Sequence, residues 1–181
     1  MKADLVEHLL KHSVRTGDFT LKSGKKSPYF IDSKQTACRP DGILLVAQAV
    51  LALVPDEATA IGGLTMGADP VAFATATYAA TVGRSLKAFS VRKEVKDHGG
   101  GGRIAGALDP GDRVVLTEDT ASRGTSILEA ANAVREAGAE PILMLALVDR
   151  GGTAAAIAAD AGIPFVAVVT APDLGFAYDA T

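Results

Sequence analysis

The 181-residue chain has no tryptophan, one cysteine, three histidines and three tyrosines. The lone Cys38 excludes an internal disulfide and a cysteine-cluster metal site. Stability must therefore come from apolar packing. No apolar run approaches the roughly 20 residues that a membrane-crossing helix needs. The opening MKADLVEHLL interleaves acids with apolar residues and shows no small-residue cleavage site, so no secretory leader is expected. Neither sign of charge dominates. Lys and Arg number 18 against 21 Asp and Glu, a net charge of -3, which argues against bulk recruitment to nucleic acid or an anionic membrane. What is present is 48% apolar and 22% charged residues, the balance of a globular chain. The length suits one domain with a full core, and a cytoplasmic location is expected.

The hydrophobic pattern predicts a helix over residues 3–14, where Leu5, Val6, Leu9, Leu10 and Val14 fall near one face. A second helix over 43–54 is expected, capped by Asp41 and ended by Pro55. From there strands and helices alternate. Strands are expected at 58–64, 86–91, 113–117, 142–148 and 165–169, and helices at 69–78, 125–137 and 153–161. Gly138 and Gly162 close the last two helices. Continuous Val/Ile/Leu strands separated by helices imply a parallel sheet covered on both faces. Ligands of such sheets bind beyond the carboxyl ends of the strands.

Three segments carry chemistry. The apolar run Val114-Val115-Leu116-Thr117 leads into Glu118-Asp119, then Thr120-Ala121-Ser122-Arg123-Gly124-Thr125-Ser126 and a helix. A hydroxyl- and glycine-containing turn before a helix N-terminus offers N–H and O–H donors to a phosphate. The two carboxylates would repel that phosphate, so sugar hydroxyls are their natural partners. A bare hydroxyl-rich turn is usually only a helix cap; the acid pair directly after the strand makes this one a ribose-phosphate grip. It is neither a Walker loop nor a dinucleotide fingerprint. The second segment is Arg92-Lys93-Glu94-Val95-Lys96-Asp97-His98, followed by glycines at 99–102. Cations on a glycine-rich loop suit a polyanionic leaving group, although Glu94 and Asp97 also fit a solvated loop of mixed charge. The match of 98–101 to an esterase His-Gly-Gly-Gly element lacks its nucleophile elbow and is discarded. The third segment, 17–39, intersperses Lys22, Lys25, Lys26, Lys34 and Arg39 with Phe19, Tyr29, Phe30 and Ile31. His8 and His12 have metal-pair spacing but no third ligand nearby, and read as helix-face histidines. Cys38 reads as a structural thiol.

VVLTEDTASRGTS resembles the phosphoribosyl-pyrophosphate (PRPP) motif of the type I phosphoribosyltransferases. RKEVKDHGGGG is similar to the catalytic loop of the orotate phosphoribosyltransferases, and FTLKSGKKSPYFID resembles their substrate segment. The resemblance spans nearly the whole chain in order. It implies an α/β fold with a mostly parallel sheet flanked by helices, a hood over residues 1–40 and a PRPP-binding core over 41–181. The implied reaction transfers the 5-phosphoribosyl group of PRPP to orotate, giving orotidine 5'-monophosphate and pyrophosphate in de novo pyrimidine synthesis. Glu118 and Asp119 would hold the ribose hydroxyls. Thr120, Ala121, Ser122, Arg123, Gly124, Thr125 and Ser126 would form the 5'-phosphate loop. Arg92, Lys93, Lys96 and His98 would meet the pyrophosphate and, with Asp119, make up the catalytic set. Lys22, Phe30, Ile31, Ser122 and Arg150 would face orotate. Mg²⁺ is the implied cofactor, held mainly by PRPP and water rather than by protein ligands. The implied assembly is a homodimer whose mobile loop reaches the neighbour's site; neither nucleic acid nor a membrane is an expected partner. Three details depart from the family pattern: the turn GGLTMG lacks a lysine near Met66, Arg123 stands where a small residue is usual, and Ser122 replaces a common threonine. Two alternatives stay open at this level: transfer to another base, and a PRPP-sensing regulator on the same fold.

Overall fold

The computed structural model describes residues 1–20, 24, 26–94 and 102–179. Six strands form the main sheet in the order β5-β4-β3-β6-β7-β8. They are β3 (Ala60–Leu64), β4 (Lys87–Val91), β5 (Ile104–Gly106), β6 (Arg113–Ala121), β7 (Glu140–Asp149) and β8 (Phe165–Thr170). All neighbours run parallel except the edge strand β5, which pairs antiparallel with β4. A separate antiparallel hairpin joins β1 (Val14–Thr20) to β2 (Lys26–Ile31). The helices are α1 (Lys2–His12), α2 (Lys34–Ala37), α3 (Pro40–Leu51), α4 (Ala68–Thr81), α5 (Thr125–Glu136) and α6 (Ala154–Asp160).

The sheet is covered on both faces, and its sequence shows why. Successive residues of a strand point to opposite sides. Ile61, Val115 and Leu145 enter one apolar cluster with Leu5 and Leu9 of α1, Val46 and Val50 of α3 and Val71 of α4. Ala60, Val114, Leu116 and Met144 enter the other with Ile127, Ala130 and Val134 of α5. Each fully buried Leu, Ile or Val contributes roughly 1.5–3 kcal/mol relative to an exposed one. From β3 the chain crosses by α4 to β4 on one side, whereas β6 crosses by α5 to β7 on the other. The carboxyl ends of β3 and β6 therefore flank the switch point of the sheet, where a crevice opens.

The alternating core follows the sequence expectation, with three corrections. Strand β6 does not stop at Thr117; it runs through both acids to Ala121, because β7 extends alongside and pairs with Glu118, Thr120 and Ala121. Helix α3 begins at Pro40 with Arg39 as its cap and ends at Leu51, before Pro55. Proline fits the first helical position, so Asp41 lies inside the first turn and instead faces His8 Nε2 at 3.3 Å. The segment 17–39, read only as basic and aromatic, holds most of the hairpin. The signal was there: along β2, Ser27, Tyr29 and Ile31 are buried while Lys26, Pro28 and Phe30 are exposed, a clean period of two.

Candidate active site

A cleft of about 290 Å³ sits at the switch point. The turn after β3 (Leu64, Thr65, Met66, Gly67, Ala68) forms one wall, and Thr117, Glu118 and Asp119 of β6 form another. Ser126 and Ile127 of α5, Lys34 and Lys93 complete the lining. The turn is braced from behind by Asp69, whose carboxylate accepts hydrogen bonds from Thr65 Oγ1 at 2.6 Å and Ser90 Oγ at 2.7 Å. Gly67 permits the close approach of turn and strand, since a Cβ there would lie 2.5 Å from Asp119 Oδ1.

The two carboxylates differ in state. Asp119 is satisfied: Oδ2 accepts from Ser33 Oγ at 2.9 Å and Lys34 Nζ at 3.1 Å, and Oδ1 from the Thr120 N–H at 2.9 Å. Glu118 Oε2 is buried without a hydrogen-bond partner. Burial first, then the Asp119 charge, push the Glu118 carboxyl up to about 7, against a smaller opposing pull from Ser126. Burial lowers the Lys34 ammonium, but Asp119 and Asp32 outweigh it and hold it above its ordinary value.

Beyond Asp119 comes the loop to α5. Gly124 adopts φ +74° with its would-be Cβ 2.8 Å from Ala154 Cα, so the loop packs against the start of α6. The Ser122 carbonyl accepts the N–H groups of Thr153 and Ala154, and the Arg123 carbonyl accepts from Thr153 Oγ1. Helix α5 starts at Thr125 with no side-chain cap, so its first-turn N–H groups face the loop as anion donors. Thr120, Ser122 and Ser126 are half-buried and Thr125 is exposed. Arg123 is exposed. The Ala121 side chain is buried in a small apolar cluster, leaving only its backbone near a ligand.

The structure separates other expected partners. Arg92 turns onto the base of its own loop, where its guanidinium reaches the Gly102 and Ile104 carbonyls at 3.4 Å. It does not line the cleft. Ile31 is 5% exposed and packs in the core, so its side chain cannot lie on a base. Phe30 is 40% exposed and its ring lies 5.7 Å from that of Phe19. Arg150 instead stacks over Tyr29, 4.7 Å from the ring centre. Adjacent strand residues face opposite ways, so the side chains of Phe30 and Arg150 lie on opposite faces of the hairpin. Lys22, Lys96 and His98 fall outside the described residues.

Sequence reasoning missed Ser33, Lys34 and Asp69 as site residues. Lys34 was visible only as one more cation of a basic segment; what brings it to Asp119 is the short helix α2, whose start sets Ser33 and Lys34 against the end of β6. It lines the same cleft as Met66 and Gly67 of the GGLTMG turn. His8 is taken up by Thr36 at 3.1 Å and by Asp41. Among the described residues no three His, Cys, Asp or Glu side chains cluster closely enough to cage a metal, and no helix is long and apolar enough to cross a membrane.

A sheet of this order, with an acid pair and an anion-binding helix start at its switch point, defines a phosphoribosyl-transferring or phosphoribosyl-binding α/β protein. No protein-family model matches the chain. Individual proteins do. The orotate phosphoribosyltransferase of Streptomyces coelicolor is 41% identical over 177 residues, 97% of this chain and 97% of its own. A crystal structure of Mycobacterium tuberculosis orotate phosphoribosyltransferase in complex with Fe(III) dicitrate superposes with a TM-score of 0.86 at 36% identity, covering 97% of this chain and 99% of that one. The same enzyme in complex with PRPP superposes with a TM-score of 0.82 at 32% identity, covering 97% and 99%. The chain belongs to the orotate phosphoribosyltransferase family.

Proposed function

We propose that the switch-point cleft binds PRPP and that the chain transfers its phosphoribosyl group to orotate, releasing pyrophosphate and forming orotidine 5'-monophosphate for pyrimidine nucleotide synthesis. The observation that carries this reading is the convergence at one crevice of an acid pair, a tight turn, a helix N-terminus and two lysines. The relative from Mycobacterium tuberculosis, which shares the fold over nearly its whole length, holds PRPP in its crystal structure.

Each part has a physical task. Asp119 and Glu118 accept hydrogen bonds from the ribose hydroxyls, with Glu118 Oε2 supplying an acceptor not already committed. The loop from Thr120 to Ser126 and the start of α5 hold the 5'-phosphate. Lys34 and Lys93 meet the pyrophosphate beside the turn at Met66 and Gly67. Lys34 exchanges its hold on Asp119 for the substrate's charge as Asp119 takes up the ribose. The orotate ring nitrogen, once ionised, gives its electron pair to C1 of the ribose, and the C1–oxygen bond breaks with its pair leaving on pyrophosphate. Positive charge grows on the ribose and negative charge on the leaving group. The loop residues Lys96 and His98 face the latter, and a fixed cation such as Lys96 acts most strongly on charge that appears only in the transition state.

Mg²⁺ fits this cleft as the counter-ion of the substrate. Glu118 and Asp119 are the lining carboxylates, and among the described residues no third ligand completes a cage. Bound there, the ion would neutralise pyrophosphate charge, with PRPP and water as its main ligands. The same reading takes the chain as a cytoplasmic homodimer with the loop serving the neighbour's cleft. The single, exposed thiol of Cys38 suits a reducing compartment.

The test is turnover. Orotate absorbance should fall with PRPP and Mg²⁺ present and hold steady without either, whereas adenine and uracil should give no product. Conversion of another base in preference to orotate would overturn the assignment.

A further inference from the structure

Asp179 lies five residues beyond the short 3-10 turn at Pro172–Leu174, yet it reaches the carboxyl ends of β6 and β7. Its main-chain N–H donates to the Arg150 carbonyl at 2.6 Å, and it forms an isolated parallel bridge with Gly151. Phe176 stacks on Tyr29 with ring centres 4.2 Å apart, anchoring the segment. The carboxylate of Asp179 then gathers three kinds of donor. Arg150 Nη2 donates to Oδ1 at 3.3 Å, and Arg150 Nε lies 3.0 Å from Oδ2 but out of line for a hydrogen bond. The Tyr29 hydroxyl donates to Oδ1 at 3.3 Å and the Ser122 hydroxyl to Oδ2 at 3.3 Å. Arg150 is 6% exposed.

These donors make a carboxylate site next to the phosphate loop. Under the proposed function, Arg150 and Ser122 face the acceptor, and orotate carries a carboxylate. Two carboxylates cannot share one set of donors. A buried guanidinium stripped of its partner is costly, so whatever displaces Asp179 has to replace its charge. The exchange is feasible because the present fit is loose: charge-assisted bonds of this type are ordinarily about 2.7–2.9 Å long, and one of the two guanidinium contacts is misaligned.

We propose that Asp179 is an internal competitor, its carboxylate occupying the position of the acceptor's carboxylate until orotate displaces it. This inference rests on the proposed function. The open fraction of the site then scales the apparent affinity for orotate. Removing the competing charge strengthens orotate binding, whereas a residue that merely braced Arg150 would weaken it when lost.

The experiment measures KM for orotate and for PRPP, with melting temperatures, in the wild type, Asp179→Asn and Arg150→Gln. The expected result is a KM for orotate about fivefold lower in Asp179→Asn, with KM for PRPP and the melting temperature held, and a raised orotate KM in Arg150→Gln. A chain ended after Ala177 is read the same way if Asp179→Asn melts early. An unchanged or raised orotate KM in these variants, with Arg150→Gln still raising it, overturns the competition and leaves the base site standing. An orotate KM unmoved by Arg150→Gln removes the base site from Arg150 and the competition with it.

Discussion

Glu118 and Asp119 are adjacent in the chain but in different electrostatic states. Asp119 shares its charge with Ser33, Lys34 and the Thr120 N–H, while Glu118 has a buried oxygen without a partner. The consequence is a pH dependence of stability. The Glu118 carboxyl rises from an ordinary 4.5 to about 7 on folding. Below about 4.5 it is protonated in both folded and unfolded chains and carries no penalty. As pH rises through about 7 the folded chain must ionise it against burial and the Asp119 charge, so stability is lost across that window, by about 3 kcal/mol in all. Glu118→Gln should therefore melt several degrees above the wild type at pH 8 and match it near pH 4.5 without ligand, while binding PRPP more weakly. Thermal melts at the two pH values decide it; an equal difference at both would show that Glu118 is not the group responsible.

At the scale of elements, the loop between β6 and α5 depends on one backbone conformation. Gly124 has φ +74° and Ala154 Cα stands 2.8 Å from its would-be Cβ. Gly83 has φ +78° at the end of α4 with open space around it. A left-handed backbone costs a side-chain-bearing residue about 1–2 kcal/mol, so Gly83→Ala should lose about that much. Gly124→Ala should lose more, because backbone rather than a flexible side chain blocks it, and should also raise KM for PRPP. Urea midpoints for both variants check the order; equal losses would mean that the loop gives way without cost. The parallel strands were legible because Val114, Val115 and Leu116 are apolar on both faces. The acid pair was legible because carboxylates directly after such a run have no structural reason to be there. The hairpin was obscured by its lysines, although Ser27, Tyr29 and Ile31 alternate with exposed neighbours. The reach of β6 past Glu118 depends on its pairing with β7, and the approach of Lys34 and Asp179 to the site on tertiary folding over 85 and 57 residues. No local pattern encodes such distances.

At the scale of the whole molecule, the cleft counts Lys93, two residues beyond the end of β4, among its lining side chains. In the proposed homodimer the loop of one subunit serves the grip of the other, and a two-fold pair would hold two equivalent shared sites. Complementation tests this directly. Asp119→Asn removes a ribose acceptor and Lys96→Ala removes a loop cation, so each variant alone should be nearly inactive, Lys96→Ala mainly through kcat. A hybrid of the two variants is different. If sites are shared, one of its sites collects both lesions and the other combines an intact grip with an intact loop. Random exchange places half the pairs in the hybrid form, with one working site of two, so activity should recover to roughly a quarter of wild type. Native mass spectrometry of the mixture shows whether hybrids have formed. Hybrids present with no recovered activity would mean that Lys96 serves the cleft of its own chain.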